Sequence, residues 1–492
     1  MHTFRYISAA AALLIAGTQG FAAEKAVTLE EKGAESVEIN SIADAFTHGK
    51  VKGLIRYSGQ HRDSNYHVLQ DASTDTSSEK VQAYSALGGY LGYETAPYYY
   101  TSVGATFYTS NPFLGSNSDS RKGLGGLYEA DGGQDSYNVL GEAFIKFQTK
   151  EHMVKIGRQE MPDYRFVSLS NIRMTPFTHE GAVYENTSIE GLKLNLAYIT
   201  QQKDRNAEKF QDMVRSARVE LGSGGKTKVR GTYDPANFNN DGKYAGKDKA
   251  MSMGGLLYSQ DSWKVELWDY YVNDFINTFY CYGQYDLYPS ETWKVTLAGQ
   301  YANQQDVGEG VAGNVDTWFY GLKAQAASDN GMLFFVSYNE IEYNEDSYDG
   351  GTIFVRWGTP QMFNSFQVQD SELAGTKSIG VGAQFDLGAL GVLDSTVIRF
   401  RYADYDMPDN LYMTDARQDR TEATFDLRYS FTKQSGFGIF TQLDGLSIQF
   451  RLAYDQFETD YDFDAYKRIH GYELERVTDD FVDARLYIDY VF

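Results

Sequence analysis

From Val482 to Phe492 the chain alternates without a break. Val482, Ala484, Leu486, Ile488, Tyr490 and Phe492 fall on one face, and Asp483, Arg485, Tyr487, Asp489 and Val491 on the other. Successive side chains of a strand point to opposite sides, so the first set is apolar and the second mostly polar. One unbroken apolar side, one polar side and an aromatic last residue suit a barrel wall between lipid and water. The edge strand of a soluble sandwich can show the same alternation. The other end of the chain separates the two readings.

Met1 to Ala22 resembles a secretory signal. Arg5 is the only charge before Glu24, an apolar stretch runs from Tyr6 to Ala16, and Gly20-Phe21-Ala22 puts small residues at a cleavage position. That stretch is shorter than the roughly 20 residues a spanning helix needs. Cleavage after Ala22 leaves 492 − 22 = 470 residues. An exported chain ending in Tyr490 and Phe492 also resembles bacterial outer-membrane barrels, which present such a carboxyl-terminal signal to their assembly machinery.

Composition agrees with β structure in a membrane. Tyr 39, Phe 30 and Gly 47 are high counts and Pro is only 8. Aromatic residues fit pleated surfaces, and Tyr suits the membrane interface. The mean hydropathy of −0.46 excludes a helical membrane protein but not a barrel, whose strands hide half their residues from lipid. Cys281 is alone, so no intramolecular disulfide is available. The net charge of −23 argues against nucleic acid as a partner.

The chain repeats one pattern of strand, short turn, strand, long loop. Segments of spanning length begin near Val51, Val81, Tyr99, Tyr137, Met153, His179, Leu192, Met213, Thr227 and Met251. Others begin near Trp263, Thr278, Thr292, Val315, Met332, Lys377, Ser395, Thr421, Leu446 and Asp480. Glu190-Gly191, Asp261-Ser262, Ser328-Asp329-Asn330-Gly331 and Asp444-Gly445 carry turn chemistry, while the polar stretches 60–80, 110–136 and 407–420 read as long loops. The pair within 213–234 has charges on both faces, among them Arg215, Arg218, Glu220, Lys226, Lys228 and Arg230. A charge facing lipid near the midplane costs about 2–4 kcal/mol, so this pair reads as an extra hairpin in an extracellular loop. The expected fold is all-β: a transmembrane antiparallel β-barrel of 18 strands over 42–492, after a loose periplasmic start over 23–41, with long extracellular loops.

Counting faces back from the carboxyl terminus places Arg485 and Asp489 inside, then Gln449 and Arg451, then Glu422, Asp426 and Arg428, then Arg399 and Arg401. Charges of both signs on the inner side of consecutive strands fit a water-filled lumen, because a dry core would need every one paired. The loop from Glu160 to Thr178 has Pro162 and Pro176 near its ends and Phe166, Val167, Leu169 and Ile172 between them. Such a loop is expected to pack against the wall inside the lumen, bringing Asp163, Arg165 and Arg173 toward the inward arginines.

Ile156-Gly157-Arg158-Gln159-Glu160-Met161-Pro162, followed by Asn171-Ile172-Arg173-Met174-Thr175-Pro176-Phe177-Thr178-His179-Glu180-Gly181, resembles the OprD-type porins. Leu87 to Thr95 and Gly445 to Arg451 resemble the second and penultimate strands of that family. The chain lacks the Pro that several members carry near their carboxyl terminus. The resemblance implies an 18-stranded passive channel of the Gram-negative outer membrane, narrowed by an inward third loop. It also implies ions and small hydrophilic solutes as cargo, carboxylates and amino acids among them, with wall arginines as a track. The pore set is then Asp163, Arg165, Arg173, Arg399, Arg401, Arg428, Arg451 and Arg485. Expected partners are outer-membrane lipid, lipopolysaccharide, the barrel-assembly machinery and further copies in a homotrimer.

Rival classes carry less. Apart from His2 in the signal, the histidines His48, His61, His67, His152, His179 and His470 join no Gly-x-Ser-x-Gly elbow and no His-Glu-x-x-His, so no enzyme is expected and His179 reads as a strand-start residue at the pore mouth. Asp460, Asp462 and Asp464 have the spacing that opens a calcium loop, but Ala465 and Gly471 stand where Gly and Glu are wanted. A solvated acidic strand end is the favoured reading. Bound Ca2+ belongs to the alternative, a cation-selective major outer-membrane protein with a structural or adhesive role; otherwise no cofactor is expected. Amino-terminal sequencing of the outer-membrane fraction should return Ala23 as the first residue, and Met1 retained there would overturn the signal reading.

Overall fold

The computed structural model describes residues 39–71, 74–114, 136–170, 172–205, 207–219, 249–310, 313–344, 346–355, 357–358, 361–368, 371–407, 419–432, 443–458 and 476–492. A short helix, α1 (Ile42–Thr47), precedes the first strand; the Asp44 N–H donates to the Ser41 hydroxyl at its start, 3.0 Å away. The strands then follow as β1 (Lys50–Asp71), β2 (Thr74–Glu94), β3 (Thr101–Pro112), β4 (Tyr137–Gln148), β5 (His152–Gln159), β6 (Thr178–Ile189) and β7 (Leu192–Lys203). After the short β8 (Phe210–Asp212) and α2 (Met213–Val219) come β9 (Met251–Gln260), β10 (Trp263–Val272), β11 (Ile276–Ser290), β12 (Trp293–Asp306) and β13 (Asp316–Ser328). The wall finishes with β14 (Met332–Ile341), β15 (Lys377–Asp386), β16 (Thr396–Asp406), β17 (Arg420–Ser430), β18 (Leu446–Phe457) and β19 (Arg476–Val491).

Apart from β8, which the wall bypasses by pairing β7 with β9, each strand pairs antiparallel with its sequence neighbours, and β1 pairs with β19, so the sheet closes on itself. At the seam Leu54 lies opposite Val491 and Arg56 opposite Asp489. Setting aside β8, three residues long and paired only with the end of β7, 18 strands form the barrel. Lipid would leave any open sheet edge unpaired, which is why closure is obligatory. The faces alternate accordingly. Along β16, Arg399 and Arg401 are 3% exposed while Phe400 and Tyr402 are 47% and 45% exposed, the inverse of a soluble protein.

Two expectations need correction. The stretch 60–80 is mostly strand, because β1 and β2 form one hairpin with strands of 22 and 21 residues. About 9–11 residues suffice to span, so half of this hairpin stands beyond the bilayer. There both faces are wet and the alternation that marks a spanning strand is absent. Met213–Val219 is helix, not the first strand of a loop hairpin. Asp212 starts it, its carboxylate accepting from the N–H groups of Val214 and Arg215 at 3.1 and 3.4 Å. Met213, Val214 and Ala217 form its buried side. The rest of the expected hairpin, 220–234, the signal segment 1–22 and Asp460, Asp462 and Asp464 lie outside the described residues.

Gly157, in the Gly-Arg-Gln triplet, has φ of +122°. A Cβ built there would lie 2.2 Å from the Ala143 carbonyl oxygen on β4. By contrast a Cβ at Gly283 meets nothing within 4 Å. Gly157→Ala should therefore destabilise the folded barrel by about 1–3 kcal/mol, and Gly283→Ala should be neutral. The heat-induced mobility shift of the refolded variants checks this; equal behaviour would mean the bulk at 157 is tolerated.

Candidate functional site

The segments folded inward divide the lumen into two unlike halves. The β5–β6 loop contributes Met161, Tyr164, Phe166 and Val167, α2 contributes Met213, Val214 and Ala217, and the β14–β15 loop contributes Ile353, Phe354, Val355, Trp357 and Met362. They pack on inward side chains of β6 to β14, including Trp268, Tyr270, Tyr280 and Phe319. The Phe166 ring meets Tyr270 and Tyr280, both at 5.6 Å between centroids. Burying such side chains stabilises by about 1.5–3 kcal/mol each, enough to hold loops that are not part of the sheet. Polar ties add direction. The Trp357 indole N–H donates to the Met213 carbonyl at 3.0 Å. The Gln304 amide bridges the Phe354 backbone, donating at 2.8 Å and accepting at 2.7 Å.

Arg165 fastens the β5–β6 loop to β10. Its Nε and Nη2 donate to the two oxygens of Glu266 at 2.7 and 2.5 Å, and its guanidinium lies 4.4 Å from the Tyr282 ring centre. The residue adopts φ of +61°, a conformation costly for a side chain with a Cβ, which the ion pair and the stacking offset. The loop begins at Glu160, whose N–H donates to Glu142 at 3.2 Å and whose carboxylate accepts from the Tyr108 hydroxyl at 2.7 Å. Burial, then the Glu142 charge, push the Glu160 carboxyl upward. At its far end the Arg173 carbonyl accepts from Arg56 Nη1 at 2.6 Å and the Ile172 carbonyl from the Tyr487 hydroxyl at 3.1 Å.

The other half of the wall is charged, and strand register arranges it. Gln384, Arg399, Asp426, Arg451, Arg485, Gln60 and Tyr84 lie opposite one another in succession from β15 through β19 to β1 and β2. Arg399 donates to Gln384 at 2.9 and 2.6 Å, and Arg451 to Asp426 at 2.6 Å. Arg485 donates to Asp483 and, at 3.2 Å, to the Gln367 carbonyl of the β14–β15 loop. Arg401 bonds Thr424 at 3.1 Å, lies 3.6 Å from Asp426, and stacks on Phe366 at 4.5 Å. Arg428 faces inward opposite Gln449, half-buried. Nη1 of Arg485, Nη1 and Nη2 of Arg401 and Nη1 of Arg173 are buried without a hydrogen-bond partner. Burial, then the charges of Arg485 and Arg205, hold Arg173 below the ordinary guanidinium range.

Of the residues read from the sequence, Arg399, Arg401, Arg428, Arg451 and Arg485 share this face, and Arg173 reaches it from the loop. Arg165 does not; it is tied to the opposite wall. Asp163 is exposed, its carboxylate accepting from the Arg165 N–H at 3.3 Å. His179 is buried in the wall, its ring bonded to Gln202 at 2.9 Å. Sequence reasoning missed Arg56, which pairs with Asp489 at 2.6 Å, Arg62, which pairs with Asp483 at 2.6 Å, and Lys323, 4.6 Å from the Phe335 ring centre. It also missed the inward β14–β15 loop, although Ile353, Phe354, Val355, Trp357, Met362, Phe363 and Phe366 crowd a stretch too long for a turn.

A closed barrel with an apolar outer belt, a charged inner wall and loops packed inside it is a porin-type channel of the Gram-negative outer membrane. The sequence model of the outer membrane porins of the OprD family matches residues 102–476, and the chain belongs to that family. No curated protein sequence matches. The fold is shared with Pseudomonas aeruginosa OccK9 (OpdG), 18% identical with a TM-score of 0.65, covering 91% of this chain and 99% of that one. It is also shared with P. aeruginosa OpdK solved with vanillate (17%, TM-score 0.62, 90% and 98% covered) and Acinetobacter baumannii OccAB4 (15%, TM-score 0.60, 90% and 98% covered). The protein is a channel for small solutes.

Lys264 at 2.7 Å and the Trp268 indole N–H at 3.0 Å also hold Glu266, so removing Arg165 forfeits charge-assisted hydrogen bonds worth about 1.5–3 kcal/mol without stranding the carboxylate. Arg165→Ala should therefore loosen the β5–β6 loop by about that much, seen in planar bilayers as larger and noisier single-channel conductance. An unchanged conductance would mean the apolar contacts alone set the loop.

Proposed function

We propose that this porin favours small solutes bearing a carboxylate, amino acids among them. The carrying observation is the register that sets Arg451 directly opposite Arg485, with Arg399 on the far side of Asp426 and Arg401 two residues along the same strand. Like charges directly opposite in a sheet destabilise it. Asp426 and Asp483 relieve part of that repulsion, but guanidinium donors of Arg401, Arg485 and Arg173 stay unbonded. A passing carboxylate can take two such donors at once and move on to the next pair. Several modest sites in a row serve conduction better than one tight site. Vanillate, with which a solved relative was crystallised, is itself a carboxylate.

The rival reading is that these arginines only brace the wall through Asp426 and Asp483. Replacing Arg401 and Arg451 together by Gln separates the two in liposome swelling. Carboxylate flux should fall roughly tenfold, the change that about 1.4 kcal/mol of lost anion stabilisation produces, while uncharged sugars pass nearly as before. An equal loss for both solutes would make the arginines structural.

A further inference from the structure

We propose that α1 and the β2–β3 turn form an interfacial foot that docks on the phospholipid leaflet at the periplasmic rim of the barrel. α1 is six residues long, and helices that short do not persist alone in water. It turns only Ala45 inward, while Ile42 and Phe46, four positions apart and so on one face, are 66% and 55% exposed. The helix is held in place by the barrel. The Ala96 N–H donates to the Ala45 carbonyl at 2.9 Å, and the Tyr93 hydroxyl donates to the Phe46 carbonyl. Tyr93 lies opposite Val51 on the outer side of β1 and β2, and Val51 is itself exposed. α1 is therefore fastened to the lipid side of the rim.

The neighbouring turn points the same way. Tyr98 and Thr101 close it with reciprocal bonds of 2.9 and 3.0 Å, leaving Tyr99 and Tyr100 at φ of +46° and +65°. Asn and Gly normally occupy such paired positions, since the left-handed conformation costs about 1–2 kcal/mol for other residues. Two tyrosines accept that strain and remain exposed, and the Tyr100 ring meets Phe147, on the outer face at the end of β4, at 6.0 Å. Ile42, Phe46, Tyr99, Tyr100, Val51 and Phe147 thus extend the apolar outer belt past the last strand residues. Polar groups of α1 are satisfied locally: the Asp44 N–H by Ser41, and the His48 N–H by the Asp44 carbonyl at 3.0 Å. A segment with its backbone bonds closed and its apolar face outward, next to tyrosines, fits the acyl–headgroup boundary.

The test uses full-length protein in phosphatidylethanolamine–phosphatidylglycerol vesicles. In a Cys281→Ser background, nitroxide labels on Ile42→Cys and, separately, Phe46→Cys should be reached at least threefold better by oxygen than by a water-soluble nickel chelate, relative to a label on Asp44→Cys. In the unmodified chain, a phospholipid with a photoreactive group near its headgroup should label peptides containing 42–47 and 98–101. Labels at 42 and 46 open to the chelate as fully as the one at 44, or no photolabelling of either peptide, would overturn the proposal and leave the patch for a soluble partner. If a labelled variant fails to refold, the photolabelling of the unmodified chain decides alone.

Discussion

Hydrocarbon offers no partner to a backbone N–H or C=O, and this constraint shapes the barrel before any side chain acts. Each strand must find a neighbour on both sides, so the sheet closes and β1 meets β19. Once it is closed, only register remains free, and side chains fix it. A slip of one residue in β16 would send Arg399 and Arg401 to lipid and Phe400 into the lumen. At about 2–4 kcal/mol for each charge near the midplane, the slipped arrangement cannot compete. Gly157, where the backbones of β4 and β5 come close, pins register from the other direction.

The inside of the barrel then follows two rules in one space. From β6 to β14 an apolar and aromatic cluster of inner side chains, with Glu266 and Gln304 as polar anchors beside it, is covered by two loops and α2, giving a packed interior of the kind found in soluble domains. Across from it, arginines and carboxylates lie buried along the wall, where pairs such as Arg451–Asp426 and Arg485–Asp483 offset part of the desolvation. The β14–β15 loop joins the halves. Phe354 and Trp357 sit in the apolar part, whereas the Gln367 amide donates to Asp483 at 2.8 Å and its N–H to Glu422 at 2.8 Å in the charged part. The loop therefore ties the two sides to each other across the lumen.

The wall was legible because each spanning strand carries its own signal. Alternation marks the 18 strands, and the face count from Phe492 places Arg399, Arg401, Arg451 and Arg485 on one side. Where both faces are wet the signal vanishes, and the outer half of the β1–β2 hairpin reads as polar loop. Met213–Val219 carried charge enough to be excluded from the membrane, but its helix depends on Asp212 as a cap and on an apolar seat supplied by loops distant in sequence. Arg165 could be assigned to a lumenal loop from Pro162 and Phe166. Its partner, Glu266, lies 101 positions away on β10, and no local pattern joins the two.

The seam has a kinetic side. Arg56 and Asp489, bonded across it, are 433 positions apart in sequence. Contacts that distant form slowly, since loop-closure entropy is spent before they return anything. Until β19 has been synthesised and delivered, β1 carries an unpaired edge, a ready template for pairing with another chain. No part of the wall can mature ahead of the whole, as a domain of a soluble protein can. The chain is therefore exposed to pairing with its fellows on the way to the membrane, and the meeting of β1 with β19 is what ends that exposure.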